Sequence, residues 1–290
     1  MGGRLLLCAT PIGNLGDITV RALEVLRSAD VVYAEDTRHT RILLDHYQIR
    51  RPLRSCHDHN EAQRGAEVCD RIRQGQTVVY VSDAGTPGIA DPGARLLEAV
   101  TSAGLAATVL PGPSALITAV TLCGLDRDGH FAFHGFPPRR SGQRRAHLAA
   151  ALAGPLPAVW FEAPGRLVDT LAAICAVGGG QRPAAVAREL TKIHEEVRRD
   201  TVEALAVYFT EHPARGEIVL CVAPGAEPEP GWVEAVAAVR RRQDGGQRLS
   251  SAVAEEAAQR GLPRGRLYRA VLEESGEKSA GRGDPGPPPG

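Results

Sequence analysis

Thr77-Val-Val-Tyr-Val-Ser-Asp-Ala-Gly-Thr-Pro-Gly88 joins two kinds of chemistry without a gap. The stretch to Val81 is β-branched and aromatic, the composition of a buried strand. From Ser82 onward the residues are small or turn-forming, so the chain must leave the sheet there. Residues 61–74 before it read as a helix closed by Gly75 in the usual C′ position, and residues 94–103 after it as a helix ended by Gly104. The same alternation extends in both directions. Residues 5–9, 31–34 and 107–110 read as strands, and 17–28 as a helix with Leu23 and Leu26 inward. Strand and helix in alternation imply a parallel or mostly parallel sheet with helices on its faces.

The pattern restarts after Gly124-Leu-Asp-Arg-Asp-Gly129, which places a domain boundary near residue 124. Strands are expected at 130–134, 158–162, 184–188, 195–200 and 217–222, and helices at 143–152, 167–177 and 202–211. Gly178-Gly-Gly180 ends the second of these helices. The expected organisation is an α/β lobe over 1–124 and a second over 125–225. A Pro/Glu/Gly linker over 225–231 then leads to a helical appendage over 232–274. Within it, residues 249–258 and those from Leu267 read as helix, turn, helix, with Ser250 or Ser251 as cap. The Gly/Pro-rich tail 275–290 lacks apolar residues and is expected to be disordered.

Composition narrows the function. The formal net charge of zero excludes a globally basic nucleic-acid binder and leaves local patches open. Aromatics make up 4%, so recognition cannot rest on many stacking platforms. Lys192 and Lys278 are the only lysines; arginine carries the rest of the positive charge. The six cysteines form no C-x-x-C pair, and Cys8 and Cys221 sit in apolar runs, as buried reduced thiols do. That pattern, with an N-terminus too short for a signal peptide and no apolar run near the roughly 20 residues of a membrane helix, points to a cytoplasmic protein.

In open α/β sheets, ligands bind beyond the C-terminal ends of strands. Three small-residue loops are expected there. They are Thr10-Pro-Ile-Gly-Asn-Leu-Gly-Asp17, Ser82-Asp-Ala-Gly-Thr-Pro-Gly88 running on to Asp91-Pro-Gly93, and Pro111-Gly-Pro-Ser-Ala115. Such backbone lets a ligand approach closely and offers N–H groups. Neither G-x-G-x-x-G nor G-x-x-x-x-G-K-[ST] occurs, so ordinary dinucleotide and P-loop binding are not supported. Ala34-Glu-Asp-Thr-Arg-His-Thr40 reads either as a helix start capped by Asp36 or Thr37, or as a polar site on the same cleft. His57-Asp-His-Asn-Glu61 reads as helix capping in preference to a metal pair, since no third ligand accompanies it; no metal is expected. Glu162, Arg188 and Glu189 can equally form a buried ion network.

Read in order, these segments resemble one family. Residues 10–19, 34–40, 57–61, 81–87, 110–114, Ala187-Arg-Glu-Leu-Thr-Lys192 and Gly216-Glu217 are similar to those of the ribosomal RNA small subunit methyltransferase I enzymes, members of the tetrapyrrole-methylase superfamily. The resemblance covers about residues 4–223. It implies two α/β lobes with S-adenosylmethionine in the cleft between them. It also implies a homodimer and 2′-O-methylation of the ribose of cytidine 1402 in 16S rRNA of the 30S subunit. It carries cofactor binding onto Asp83, Ala84, Gly85, Thr86, Ser114, Ala115, Phe161 and Glu162, with Pro11 and Gly13 on the first loop added. The family usually has Tyr-Glu-Ser-Pro-His-Arg where this chain has Phe161-Glu-Ala-Pro-Gly-Arg166, so two hydroxyls and an imidazole are lost.

By residue type the proton acceptor falls among Asp36, His57 and His59, with Asp83 a fourth candidate that can equally serve positioning. Arg38 and Arg41, and the run Arg139, Arg140, Arg144 and Arg145, are candidates for RNA phosphates. Two other readings share the fold: a tetrapyrrole methyltransferase, and a non-catalytic ribosome-assembly factor.

Overall fold

The computed structural model describes residues 2–57, 60–125, 129–225, 232–262 and 264–274. The first sheet contains β1 (Arg4–Cys8), β2 (Val31–Ala34), β3 (Leu53–Ser55), β4 (Thr77–Val81) and β5 (Ala107–Leu110). Its order is β3-β2-β4-β1-β5 and every pairing is parallel. The helices α1 (Val20–Ser28), α2 (Thr37–His46), α3 (Glu61–Arg73) and α4 (Ala94–Ser102) make the crossovers. Because the inner strands are covered on both faces, they read as continuous apolar runs. The period of two sends Leu5, Leu7 and Tyr80 toward Val68 of α3 and Leu96 of α4. It sends Leu6, Cys8 and Val79 toward Leu26 of α1 and Leu44 of α2. Each such leucine contributes about 1.5–3 kcal/mol of burial. Burial also pushes the Cys8 thiol up to about 12, which leaves it an inert apolar filler.

α5 (Ala115–Cys123) is apolar nearly all round. Leu116, Ala119 and Cys123 on this helix, with Ile12 from the first loop, pack on Val159, Ala185, Ala187, Val219 and Cys221 of the second sheet. This shared core is why residues 1–225 form one compact unit. Gly124, at the expected boundary, is the left-handed cap of α5, with φ 63°.

The second sheet corrects the expectation of a parallel arrangement. Its strands are β6 (Ala132–Phe133), β7 (Ala158–Glu162), β8 (Pro183–Arg188), β9 (Glu196–Thr201) and β10 (Ile218–Val222), in the order β6-β7-β10-β8-β9. Only β6 and β7 are parallel; β7–β10, β10–β8 and β8–β9 are antiparallel. Residues 189–195 between β8 and β9 carry no helix, and a link that short cannot make a parallel crossover. α6 (Ser141–Leu152), α7 (Leu167–Ile174) and α8 (Val202–Glu211) cover one face around Trp160, Leu171 and Phe209.

A second unit follows. α9 (Trp232–Asp244), α10 (Leu249–Arg260) and α11 (Arg264–Glu274) close on a small core of Val236, Val239, Val253, Leu267 and Val271. Gly261 ends α10 with φ 67°. The expected Ser250 or Ser251 cap is not made: Arg248 holds the cap position, without a side-chain bond, and both serines lie inside the helix. Arg242 is engaged by Glu255 and Glu256, and Glu256 is 2% exposed. The linker residues 226–231, the tail 275–290 and the side chains of Arg266 and Arg269 lie outside the described residues. Among the described residues no helix is long and apolar enough to cross a membrane.

Candidate functional site

The three small-residue loops leave the C-terminal ends of β1, β4 and β5, and hydrogen bonds tie them to one another. Thr10 and Gly85 exchange backbone bonds of 2.9 and 3.0 Å. The Thr10 hydroxyl donates to Ser82 O (3.3 Å), and the Thr86 hydroxyl to Pro113 O (3.2 Å). Gly85 sits at φ 74°, and a Cβ there would meet Ile12 Cγ2 at 3.3 Å, so glycine permits this close approach. Ser114 caps α5, whose first-turn amides at Ala115 and Leu116 have no intrahelical acceptor.

These loops form one side of a cavity of about 300 Å³. Asp83, Ala84, Gly85, Thr86, Ser114 and Ala115 line it from the first lobe, and Phe161 and Glu162 from the second. Pro11 and Gly13 are not among its lining residues. Gly13 lies against the segment after β8, where a Cβ would meet the Lys192 side chain.

Sequence reasoning missed part of the wall. Ile12, Ile89, Ala90, Phe136, Leu190, Gly216 and Glu217, with Ile218 and Val219 at the start of β10, also line the cavity. The antiparallel register sets Ile218 beside Glu162 and Val219 beside Phe161. Gly216-Glu217 carried a family signal and Asp91-Pro-Gly93 a turn signal; Phe136 carried neither.

Glu162 is 2% exposed and fully engaged. Its carboxylate accepts the Thr170 hydroxyl at 2.5 Å and the Ala163 amide at 2.8 Å, and faces Arg166 Nε at 3.4 Å. Arg188 and Glu189 do not join it: Arg188 pairs with Glu196 at 2.6 Å and Glu189 with Lys192 at 2.8 Å. A single buried network over all three is therefore replaced by separate pairs.

Of the described proton-acceptor candidates, Asp83 lines the cavity, and Asp36 and His57 do not. Asp36 touches it indirectly, its amide donating to Asp83 Oδ1 at 2.9 Å. Its carboxylate caps α2 through the Arg38 amide and grips the Arg38 guanidinium at 2.7 Å. Those bonds hold the Asp36 carboxyl at about 2. His57 behaves as a helix start: its amide donates to Asn60 Oδ1 at 2.8 Å and its carbonyl accepts from Asn60 and Glu61. His59 lies outside the described residues. Among the described residues no three His, Cys, Asp or Glu side chains are grouped to hold a metal. Arg41, Arg139, Arg140 and Arg145 are exposed, as is Arg38 despite its pairing. Arg144 is not: its side chain is 12% exposed and lies 3.8 Å from Asp169 on α7.

Residues 4–206 match the family of tetrapyrrole (corrin/porphyrin) methylases. The ribosomal RNA small subunit methyltransferase I of Mesorhizobium japonicum is 42% identical over 285 residues, 97% of this chain and 95% of that protein. Its namesake from Mycobacterium tuberculosis is 44% identical, over 93% and 95% of the two chains. The chain belongs to the ribosomal RNA small subunit methyltransferase I family. The chain also shares its fold with a solved uroporphyrin-III C-methyltransferase of Thermus thermophilus in complex with S-adenosylhomocysteine. The TM-score is 0.55 at 18% identity, over 77% of this chain and 97% of that one. The methyltransferase CobJ aligns with a TM-score of 0.59 at 20% identity, over 78% and 95%.

Proposed function

We propose that this protein transfers a methyl group from S-adenosylmethionine to the ribose 2′-hydroxyl of cytidine 1402 in 16S rRNA, acting on the 30S subunit as a cytoplasmic homodimer. The observation that carries this reading is the convergence of three hydrogen-bonded small-residue loops with the β7 end on one cavity, in a chain 41–44% identical to named rRNA methyltransferases over most of its length. The cavity fits the cofactor's mixed character. Phe161, Ile218 and Val219 offer an apolar wall, while Asp83, Thr86 and the α5 first turn offer polar partners.

The cofactor supplies an electrophilic methyl on sulfur. The protein's task is to hold it, align the ribose oxygen, exclude water and accept one proton. Asp36 is a poor acceptor, because a carboxyl held at about 2 takes up a proton poorly near neutral pH. Beyond the family description over residues 4–206, the porphyrinoid reading rests on likenesses of 17–21% identity, which speak for the fold alone.

Purified protein with methyl-labelled cofactor, offered 30S subunits, naked 16S rRNA or uroporphyrinogen, is expected to label the 30S rRNA. Label on the tetrapyrrole alone would overturn the proposal. Binding to 30S without label would leave an assembly factor. The C-terminal helices are proposed to assist docking. A chain ending at Gly225 should keep cofactor affinity and methylate 30S poorly; full-rate methylation would contradict that role.

A further inference from the structure

Phe136 is a large apolar ring that the fold holds in solvent. It is 54% exposed, the most exposed aromatic among the described residues of the 1–225 unit. Burying a phenylalanine is worth about 1.5–3 kcal/mol, so a ring left out this far is not explained by core packing. Nor is it loose. The Phe161 amide donates to Gly135 O at 3.0 Å, and the His134 amide to Val159 O at 2.9 Å. Arg166 Nη2 donates to Pro137 O at 2.6 Å, while its Nε faces the buried Glu162. The backbone on both sides of Phe136 is thus pinned to the end of β7. The ring leans on Phe161 at 5.7 Å between centroids, with planes 57° apart.

Two further features define what the ring presents itself to. It lines the cavity, as does Ile89 of the first lobe, which is 47% exposed. Within four residues of it follow Arg139 and Arg140, both exposed. An apolar face beside two guanidiniums is the pattern that recognises a single-stranded nucleotide, with the base stacked on the ring and phosphates on the cations.

We propose that Phe136 is a nucleobase-stacking platform at the cavity mouth, taking an unstacked base of the substrate RNA while Arg139 and Arg140 hold its flanking phosphates. This rests on the proposed rRNA substrate, and it names how that substrate is gripped. Holding a base out of its stack costs roughly a few kcal/mol, and a rigid aromatic surface offsets that loss.

The test compares wild type with Phe136→Ala, Phe136→Leu and Phe136→Trp. Three measurements are made: affinity for S-adenosylhomocysteine, kcat/KM on 30S subunits, and fluorescence quenching of a short single-stranded RNA carrying a fluorescent cytidine analogue. The alanine and leucine variants are expected to lose about tenfold in kcat/KM and to lose the quenching, as removal of one stacked base implies. The tryptophan variant should stay within about twofold of wild type in both. Affinity for S-adenosylhomocysteine should fall far less than kcat/KM, because the ring, though part of the cavity wall, is mostly turned to solvent. Full quenching by the alanine variant, or none by wild type, overturns the platform. A matching fall in S-adenosylhomocysteine affinity would make Phe136 part of the cofactor wall instead. A change in molecular mass by light scattering would make it a contact between copies. If wild type quenches through Phe136 yet never methylates 30S, the platform stands and the proposed reaction falls.

Discussion

The two sheets of the 1–225 unit meet the same cavity in different ways. In the first, all strands run parallel, so one rule places every ligand loop: they leave the C-terminal ends of β1, β4 and β5 together. In the second, three of four pairings are antiparallel. The edge facing the cavity then mixes the end of β7 with the beginning of β10. A parallel sheet gathers loops at one end by topology alone. An antiparallel one gathers whatever the register brings there, and the register is set by pairing between strands far apart in sequence.

That contrast can be broken from either side. The largest effect is expected from Asp83→Arg, which puts a long cation where the loops converge. Binding of S-adenosylhomocysteine should fall by more than about 100-fold in calorimetry, and retained affinity would show that the first-sheet loops do not hold the cofactor. On the second sheet, Glu162→Ala strips Thr170 and the Ala163 amide of a buried acceptor and Arg166 of its opposite charge. It should cost about 2–3 kcal/mol in urea unfolding, with Glu162→Gln milder; equal effects would point to charge instead of hydrogen bonding.

Arg139 and Arg140 sharpen the division between lobes on the RNA side. Replacing both with alanine should weaken RNA binding about tenfold and lower the salt slope by up to about two, while cofactor affinity holds. Arg144→Ala should leave the salt slope alone and lower stability, because that side chain is buried toward Asp169. At Gly216, φ is +78° and a Cβ would meet the Glu189 carboxylate, so Gly216→Ala should cost more than about 1 kcal/mol in thermal unfolding. The smallest effect is expected from Gly165→Ala, which has open space around it and should cost next to nothing.

The first lobe was legible for a physical reason. Strands buried on both faces are uninterrupted apolar runs, and the turn residues after them stand out. What the pattern hid has equally specific causes. α5 packs against the second sheet and is apolar nearly all round, so it shows no helical stripe. β3 is a short edge strand with little apolar content. In the second lobe the strand positions were readable but their direction was not, since nothing local to residues 217–222 reveals that β10 inserts between β7 and β8. The cavity followed the same division. Asp83 to Thr86 and Ser114 were visible as turn chemistry, Phe161 and Glu162 through family resemblance, and Phe136 through neither. The arginine run looked uniform in sequence, yet α6 turns Arg144 inward and leaves Arg145 outside.

The most direct measurement is mass-spectrometric mapping of 16S rRNA from cells lacking this protein, complemented either with the wild-type chain or with Asp83→Arg. The wild-type chain should restore a single methyl on the ribose of cytidine 1402, and the variant should restore none. A methyl on the base, a methyl at another nucleotide, or restoration by the variant would contradict transfer from a cofactor held by these loops to that ribose.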